Sequence, residues 1–165
     1  VPADFDDIVA SFGGPVASLH VKGGLSRARE LVERINAKLA RGRAYLRTEM
    51  PDRFQYHRDP RAGDIVVVMD ASWVLSTSRT SSAAAAKTGR GGGYRGYHGW
   101  DNAYPSMRAA FLVMGPDIRP GALVGEVHNV DVYPFLTEIL GIEAAPDIDG
   151  RAGAIGSVVR RRPEF

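Results

Sequence analysis

The chain has 165 residues, of which 44% are hydrophobic and 24% charged, and its formal net charge is +2. These values are ordinary for a globular protein with a core, and so small a charge does not indicate a surface dedicated to a nucleic-acid polymer. The absence of cysteine excludes disulfides, thiolate metal sites and a cysteine nucleophile, and no apolar run approaches the ~20 residues of a membrane span.

The N-terminal part of the chain is predicted to form a small β-α-β-β unit. Alternation of apolar and polar residues over residues 14–21 predicts a half-buried strand. Apolar residues at helical spacing follow, with Ser26 as a candidate N-cap and Gly42 at a position that suits the end of a helix. Residues 44–48 and the β-branched run at residues 64–70 predict two further strands.

Residues 76–97 are rich in Ser, Ala and Gly and have no apolar periodicity, so we expect a flexible loop. A structureless loop of this length is uncommon in a compact domain, which leaves open whether it covers a site or is disordered. A phosphate-binding loop is not predicted, because Lys87 precedes the glycines instead of following them.

After this loop the pattern changes to a strand followed by a helix. The apolar run at residues 107–116 predicts a strand buried on both faces, as in a parallel sheet covered by helices. The next helix is predicted to have Asn129 or Asp131 as its N-cap and to end at Gly141. This order indicates an α/β layer.

The best candidate for chemistry is His98, within the sequence GYHGWDN. Glycines on both sides allow the backbone to come close to another surface, and neutral imidazole is the commonest metal ligand in proteins. On spacing alone, a polar residue in a tight turn remains an open alternative. Zinc requires several ligands, and nothing else in the sequence is arranged as a cluster.

Several segments taken together resemble the nucleotide pyrophosphatase/phosphodiesterase family of the alkaline phosphatase superfamily. Residues 98–102 match its H-G-[aromatic]-D-N motif, and residues 107–116 match M-x-A-x-F-x-x-x-G-P. Residues 129–133 match N-[VI]-x-V-Y, and residues 45–56 match Y-L-[KR]-x-E-[IM]-P-[DE]-R-x-x-Y. The resemblance spans residues 14–142, and this ordered series of motifs is more specific than any one of them.

The resemblance implies an enzyme that holds two zinc ions and cleaves phosphodiester or pyrophosphate bonds through a covalent intermediate on Thr or Ser. His98 stands where the family has a zinc ligand. Asp101 is a candidate partner for the other ring nitrogen of His98, where a hydrogen bond would fix the tautomer of the imidazole. Trp100 replaces the more usual Tyr or Phe.

The family's nucleophile and its remaining metal ligands lie upstream of the matched part, and this sequence does not contain them. The resemblance therefore implies an α/β fold that is only the C-terminal part of an alkaline-phosphatase-like core. That part would comprise residues 98–165, with residues 1–75 as a small α+β insertion subdomain and residues 76–97 as the loop between them.

The expected partners are the missing N-terminal part of the same enzyme and a small nucleotide or phosphodiester substrate. The resemblance alone implies a periplasmic or extracellular location, since no targeting segment is visible. Two alternatives stay open. One is another hydrolase of the superfamily, acting on phosphonates or phosphomonoesters, and the other is a non-catalytic binding module that lacks a nucleophile.

Overall fold

The computed structural model describes residues 6–75 and 97–160. The chain divides into two compact units, Val1–Arg108 and Ala109–Phe165. Apart from Tyr97, the loop predicted at residues 76–97 lies outside the described residues. His98 belongs to the first unit. The domain boundaries expected from the sequence, which group this residue with the C-terminal part, stay a prediction.

The first unit is a four-stranded antiparallel sheet with a helix on one face. Its elements are β1 (Ile8–Gly13), β2 (Val16–Val21), α1 (Gly24–Asn36), β3 (Gly42–Leu46) and β4 (Ile65–Met69). The strands lie in the order β1-β2-β4-β3. Sequence analysis predicted the last four elements and missed β1, an edge strand whose residues are mostly exposed and therefore carry little apolar pattern.

The two faces of the sheet carry separate apolar clusters. The cluster shared with α1 contains Ala17, Leu19, Val21, Ala28, Leu31, Ala44, Leu46, Ile65, Val67 and Met69. The opposite face has a smaller cluster of Met50, Val66 and Val68. The central strand β4 lies between β2 and β3 and contributes side chains to both clusters, so all five of its residues are buried. Each fully buried Val or Ile side chain stabilises the fold by roughly 1.5–3 kcal/mol.

The ends of α1 differ from the prediction. The helix begins at Gly24, before Ser26, and no side chain caps it. It ends at Asn36, six residues before the glycine predicted to end it. Gly42 is instead the first residue of β3 and has a φ of +144°. The Asn36 amide then donates to the carbonyl of Ala44 (2.9 Å) and accepts from the Ala44 N–H (2.8 Å). At this edge strand, one side chain therefore satisfies the backbone groups that a neighbouring strand would otherwise bind.

The second unit contains the helix α2 (Val132–Leu140) packed against extended segments. The buried apolar residues of its hydrophobic cluster are Ile118, Phe135, Ile155 and Val158. The rings of Phe111 and Phe135 meet edge to face with centroids 6.1 Å apart, and an isolated antiparallel bridge joins Ile118 to Val159. Gly141 caps the C-terminal end of this helix, as predicted, with a φ of +66°.

The prediction of a strand at residues 107–116 is wrong. Pro105–Met107 forms a 3₁₀ turn, and no described residue pairs with residues 109–114. The run is not buried on both faces either, because Leu112 and Met114 are each 92% exposed. An apolar run becomes a strand only when a neighbour receives its backbone hydrogen bonds, so this one is an extended segment with one apolar side in solvent.

Asp131 precedes α2 at the N-cap position, as predicted, but its carboxylate does not cap the helix. Oδ1 accepts from the backbone N–H of Arg151 (2.8 Å) and Oδ2 from its guanidinium (2.9 Å). The side chain of Asp131 is 2% exposed. These hydrogen bonds from Arg151 hold the pKa of Asp131 below its usual value. The pair thus fastens the segment after α2 to the beginning of that helix.

Short 3₁₀ turns also occur at Arg47–Glu49, Asp52–Phe54, Pro60–Ala62, Asn129–Asp131 and Gly156–Val158. Among the described residues, no helix has the length and apolar character needed to cross a membrane.

Candidate functional site

The H-G-W-D-N segment (residues 98–102) lies against the turn between β1 and β2. Gly14 and Pro15 form that turn, and Gly14 has a φ of +71°, the left-handed conformation that a tight hairpin requires. The phenol of Tyr97 lies so close to Gly14 that a Cβ there would overlap it. Gly99, with a φ of +97°, has Pro15 as its neighbour. Glycines on both sides of the contact therefore allow the two backbones to approach.

Three side chains fasten the H-G-W-D-N segment to the rest of the first unit. The indole N–H of Trp100 donates to the carbonyl of Trp73 (2.7 Å). Asp101 accepts two hydrogen bonds from the guanidinium of Arg53, at 2.9 Å to Oδ1 and 2.6 Å to Oδ2. The amide of Asn102 donates to the backbone carbonyl of Arg53 (2.8 Å). The segment is thus held at each position after Gly99.

The Asp101 carboxylate also accepts from the backbone N–H of Ala103 (2.9 Å), and its side chain is 19% exposed. The hydrogen bonds from Arg53, followed by the one from Ala103, lower the pKa of Asp101, and the carboxylate in turn raises the pKa of Arg53. Asp101 is therefore ionised at neutral pH and anchors the segment. The role predicted for it as hydrogen-bond partner of the His98 ring stays a prediction.

The imidazole of His98 takes no part in these contacts and is exposed. It stacks on the ring of Tyr97, with centroids 6.0 Å apart and planes inclined by 22°. A cavity of about 560 Å³ opens beside it and is lined by Ser11, Gly13, Val16, Ser18, Tyr56, Tyr97, His98 and Gly99. The geometry leaves this imidazole accessible to a metal ion or a ligand.

The described residues contain no group of three or more His, Asp or Glu side chains placed to hold a metal ion. Protein zinc sites use several such ligands, whether they are structural or catalytic. His98 is the right chemical type and is accessible, so it fits as one ligand. A zinc site that used it would need further ligands from outside the described residues.

Arg53 was not predicted from the sequence as a site residue. Arg53 and Asp101 are 48 positions apart in the chain. Arg53 was noted only as a part of its motif, and Asp101 was singled out only as a partner for His98. The charges were visible, but nothing in a linear pattern shows which of the many acidic residues meets a given arginine. The cavity was missed for the same reason, since its lining comes from three separate parts of the chain.

Comparison with known proteins identifies relatives of the chain. The family described as type I phosphodiesterase / nucleotide pyrophosphatase matches residues 3–101. A bis(5'-adenosyl)-triphosphatase of Mus musculus is 28% identical over 133 residues, which are 81% of this chain and 26% of that protein. The corresponding protein of Bos taurus is 30% identical over 62% of this chain and 20% of its own length. Ectonucleotide pyrophosphatase/phosphodiesterase family member 3 of Rattus norvegicus is 27% identical over 70% of this chain and 12% of its own length.

Among solved structures, murine ectonucleotide pyrophosphatase / phosphodiesterase 5 superimposes with a TM-score of 0.74 at 24% identity. The match covers 94% of this chain and 38% of that one. It confirms the fold class expected from the sequence, an α/β alkaline-phosphatase-like core part with a small α+β subdomain. The chain spans 26% or less of the length of the curated relatives named above. With its matching motifs, its fold and more than half of its residues inside the family match, the chain belongs to the type I phosphodiesterase / nucleotide pyrophosphatase family.

Proposed function

We propose that this chain is the part of a zinc-dependent phosphodiesterase/nucleotide pyrophosphatase that supplies His98 to a metal site. The observation that carries the proposal is the exposed imidazole of His98. The side chains of Trp100, Asp101 and Asn102, which follow it, are each held by hydrogen bonds to the rest of the first unit. Membership of the family supports it, as do the names of the relatives, which describe hydrolysis of nucleotide pyrophosphate or phosphodiester bonds.

Two zinc ions, when bound, would supply positive charge that stabilises the phosphoryl oxygens during hydrolysis. His98 would hold one of these ions through one nitrogen of its ring. Its other nitrogen requires an acceptor to fix the tautomer, and Asp101 is the proposed acceptor. The Thr or Ser that attacks phosphorus and forms the covalent intermediate is proposed to lie in an N-terminal part of the same protein, beyond this chain.

The exposed apolar side chains of the second unit support such an N-terminal partner. Leu112 and Met114 are each 92% exposed and Leu123 is 94% exposed. Exposed apolar patches mark places where another part of a protein packs, and the proposal places the N-terminal part against these side chains. The matched region is only 26% and 12% of the length of two of the relatives, so those proteins contain further parts that could form such a partner. A periplasmic or extracellular location is part of the proposal and rests on relatives named ectonucleotide enzymes.

The test uses the full-length protein purified with zinc, the variant His98→Ala and the control His20→Ala. His20 is also exposed but lies on β2, outside the cavity lining. Loss of the His98 imidazole should lower bound zinc and reduce hydrolysis of bis(p-nitrophenyl) phosphate about 100-fold or more, since a catalytic metal supplies several kcal/mol. The control should retain both zinc and activity.

The choice of substrate decides between the proposal and its alternatives. Faster hydrolysis of p-nitrophenyl phosphate than of the diester would indicate a phosphomonoesterase, and preference for a phosphonate ester would indicate a phosphonate hydrolase. If the zinc-loaded protein hydrolysed none of these compounds, the result would contradict the proposed hydrolase and favour a non-catalytic binding module. Unchanged zinc content in His98→Ala would contradict the proposal that His98 is a zinc ligand.

A further inference from the structure

The sheet of the first unit has two edge strands, and they differ in how their free side is satisfied. At β3, the side-chain amide of Asn36 occupies both the N–H and the carbonyl of Ala44. The other edge strand is β1 (Ile8–Gly13), which pairs with β2 on one side. Within residues 6–75 and 97–160, no strand lies along its other side.

The hydrogen bonding of the β1–β2 hairpin shows which backbone groups of β1 face outward. The N–H of Lys22 donates to the carbonyl of Asp7 (2.9 Å), so Asp7 faces β2. In an antiparallel pair every second residue faces the partner strand, and the pairing continues without interruption over all of β1. The N–H and carbonyl groups of Ile8, Ala10 and Phe12 therefore point away from β2, toward the free edge.

The strand β1 lacks the charges, prolines and bulges with which natural edge strands resist pairing. Its sequence is IVASFG, and five of its six residues are exposed. Val9 and Phe12 are 61% and 48% exposed. The helix α1 packs mainly on β3 and β2 and leaves β1 less covered. These features leave the edge open to another strand.

We propose that β1 pairs with β1 of a second copy of the chain, antiparallel about a two-fold axis at Ala10. In this register Ala10 lies opposite the same residue of the second copy, and Ile8 lies opposite Phe12 of the partner subunit. Each of these pairs exchanges both backbone hydrogen bonds, because all three residues face the free edge. Directly opposed residues lie on the same face of the sheet, so the side chains of Ile8 and Phe12 meet as an apolar pair.

Charge and symmetry also fit this register. Asp6 and Asp7, the acidic residues that precede β1, come opposite glycines of the partner subunit and therefore meet no like charge. The pairing is isologous and closes after two copies, since each copy offers one such edge. A single strand pair is small beside the roughly 1,600 Å² of a standard interface, so we expect a weak, concentration-dependent dimer.

The experiment measures the molar mass of the full-length protein by analytical ultracentrifugation over a range of concentrations. Ala10→Lys and Ala10→Glu each place two like charges opposite one another at the two-fold axis. Position 10 is exposed, so both variants should fold, and circular dichroism checks this. Ala40→Lys is the matched control, because it makes the same change at an exposed alanine just before β3, the opposite edge strand.

The parent protein and Ala40→Lys should dimerise with equal affinity, and Ala10→Lys and Ala10→Glu should each do so about 10-fold more weakly or worse. An equimolar mixture of the two Ala10 variants should form a heterodimer, since opposite charges then face each other across the axis. If Ala10→Lys does not fold, Ala10→Glu alone decides the outcome.

A parent protein that stays monomeric at every concentration would overturn the inference, and this is the result expected if another part of the protein covers β1. Dimers that the Ala10 variants leave intact would overturn it too, as would a mixture that associates no better than its components. The dimer requires neither metal nor hydrolysis, so its absence from an active, zinc-loaded enzyme would leave the proposed function standing.

Discussion

Arg53 connects the two motifs of the first unit through both its side chain and its backbone. Its guanidinium makes two parallel hydrogen bonds to Asp101, and its carbonyl accepts from Asn102. A planar fork of this kind matches a carboxylate in a way that the single ammonium of lysine does not. Two of the three side chains that fasten the H-G-W-D-N segment, Asp101 and Asn102, therefore bind the same distant arginine.

We predict that Arg53→Lys and Asp101→Asn each weaken zinc binding by the full-length protein about 10- to 100-fold, as loss of a residue that orients a metal ligand does. Equilibrium zinc titration measures the change. Arg61→Ala is the control, because Arg61 pairs with Asp59 only two positions away and is 89% exposed. It should leave zinc affinity as it is.

The double variant separates the two roles that Asp101 can have. If the carboxylate only anchors the segment through Arg53, Arg53→Lys/Asp101→Asn should be no worse than either single change. If Asp101 also binds the His98 ring, Asp101→Asn should cost more zinc affinity than Arg53→Lys. Unchanged affinity in Asp101→Asn would show that the predicted partnership with His98 is wrong.

At the scale of elements, the side-chain amide of Asn36 links the end of α1 to β3 by two hydrogen bonds, in addition to their shared apolar cluster. Asn36 occupies both backbone groups of Ala44, a residue that is 2% exposed. We predict that Asn36→Ala lowers the free energy of unfolding by about 1–2 kcal/mol, because two backbone groups lose their partner. Urea denaturation measures this loss. Glu33→Ala, at an exposed position of the same helix, should change stability by less than about 0.5 kcal/mol, and an equal effect of both variants would contradict the role of Asn36.

The beginning of α2 depends on the ion pair between Asp131 and Arg151, which makes a pH dependence testable. The pKa of Asp131 is lowered in the folded chain. Its contribution to stability is therefore complete above the unfolded value of about 3.9 and is lost as the pH falls through the lower folded pKa. We predict that Asp131→Asn destabilises the chain by about 1–3 kcal/mol at pH 7 and by progressively less below about pH 4.

Denaturation of the parent chain and the variant at a series of pH values isolates this contribution from that of other carboxylates. Arg151→Met removes the partner guanidinium and should reproduce most of the loss at pH 7. A difference between parent and variant that stayed constant down to the lowest pH would mean that the ionised form of Asp131 is not what stabilises α2.

At the scale of the whole molecule, the two units are unequal in how well their apolar residues are covered. The sheet of the first unit has apolar clusters on both faces. The second unit has one small core, beside which Leu112, Met114 and Leu123 are almost fully exposed. This distribution is expected if the proposed N-terminal part of the protein packs on the second unit.

We predict that Leu112→Ser changes the stability of the 165-residue chain by less than about 0.5 kcal/mol, as exposed substitutions do. In the full-length protein the same change should destabilise by about 2–4 kcal/mol, as loss of a buried Leu does. Thermal and urea denaturation of both proteins compare the two effects. Leu25→Ser, at a position on α1 that is 63% exposed, is the control and should be mild in both. A mild effect of Leu112→Ser in both proteins would contradict the proposed N-terminal partner.

The sequence by itself determined the family, the α/β class and most of the elements of the first unit. Alternation along β2, the β-branched run of β4 and the helical spacing of α1 are local patterns, and local backbone geometry dictates their period. His98 was singled out in the same way, from its flanking glycines and its place in an ordered series of motifs.

Only the tertiary structure showed that Arg53 holds Asp101, that Asn36 binds Ala44 and that three parts of the chain enclose a cavity beside His98. It also showed that residues 107–116 are an extended segment with no paired strand among the described residues. Hydrogen bonds, ion pairs and strand pairing depend on which distant residues meet in space. The linear sequence gives the chemical type of each residue but not which distant residues come into contact.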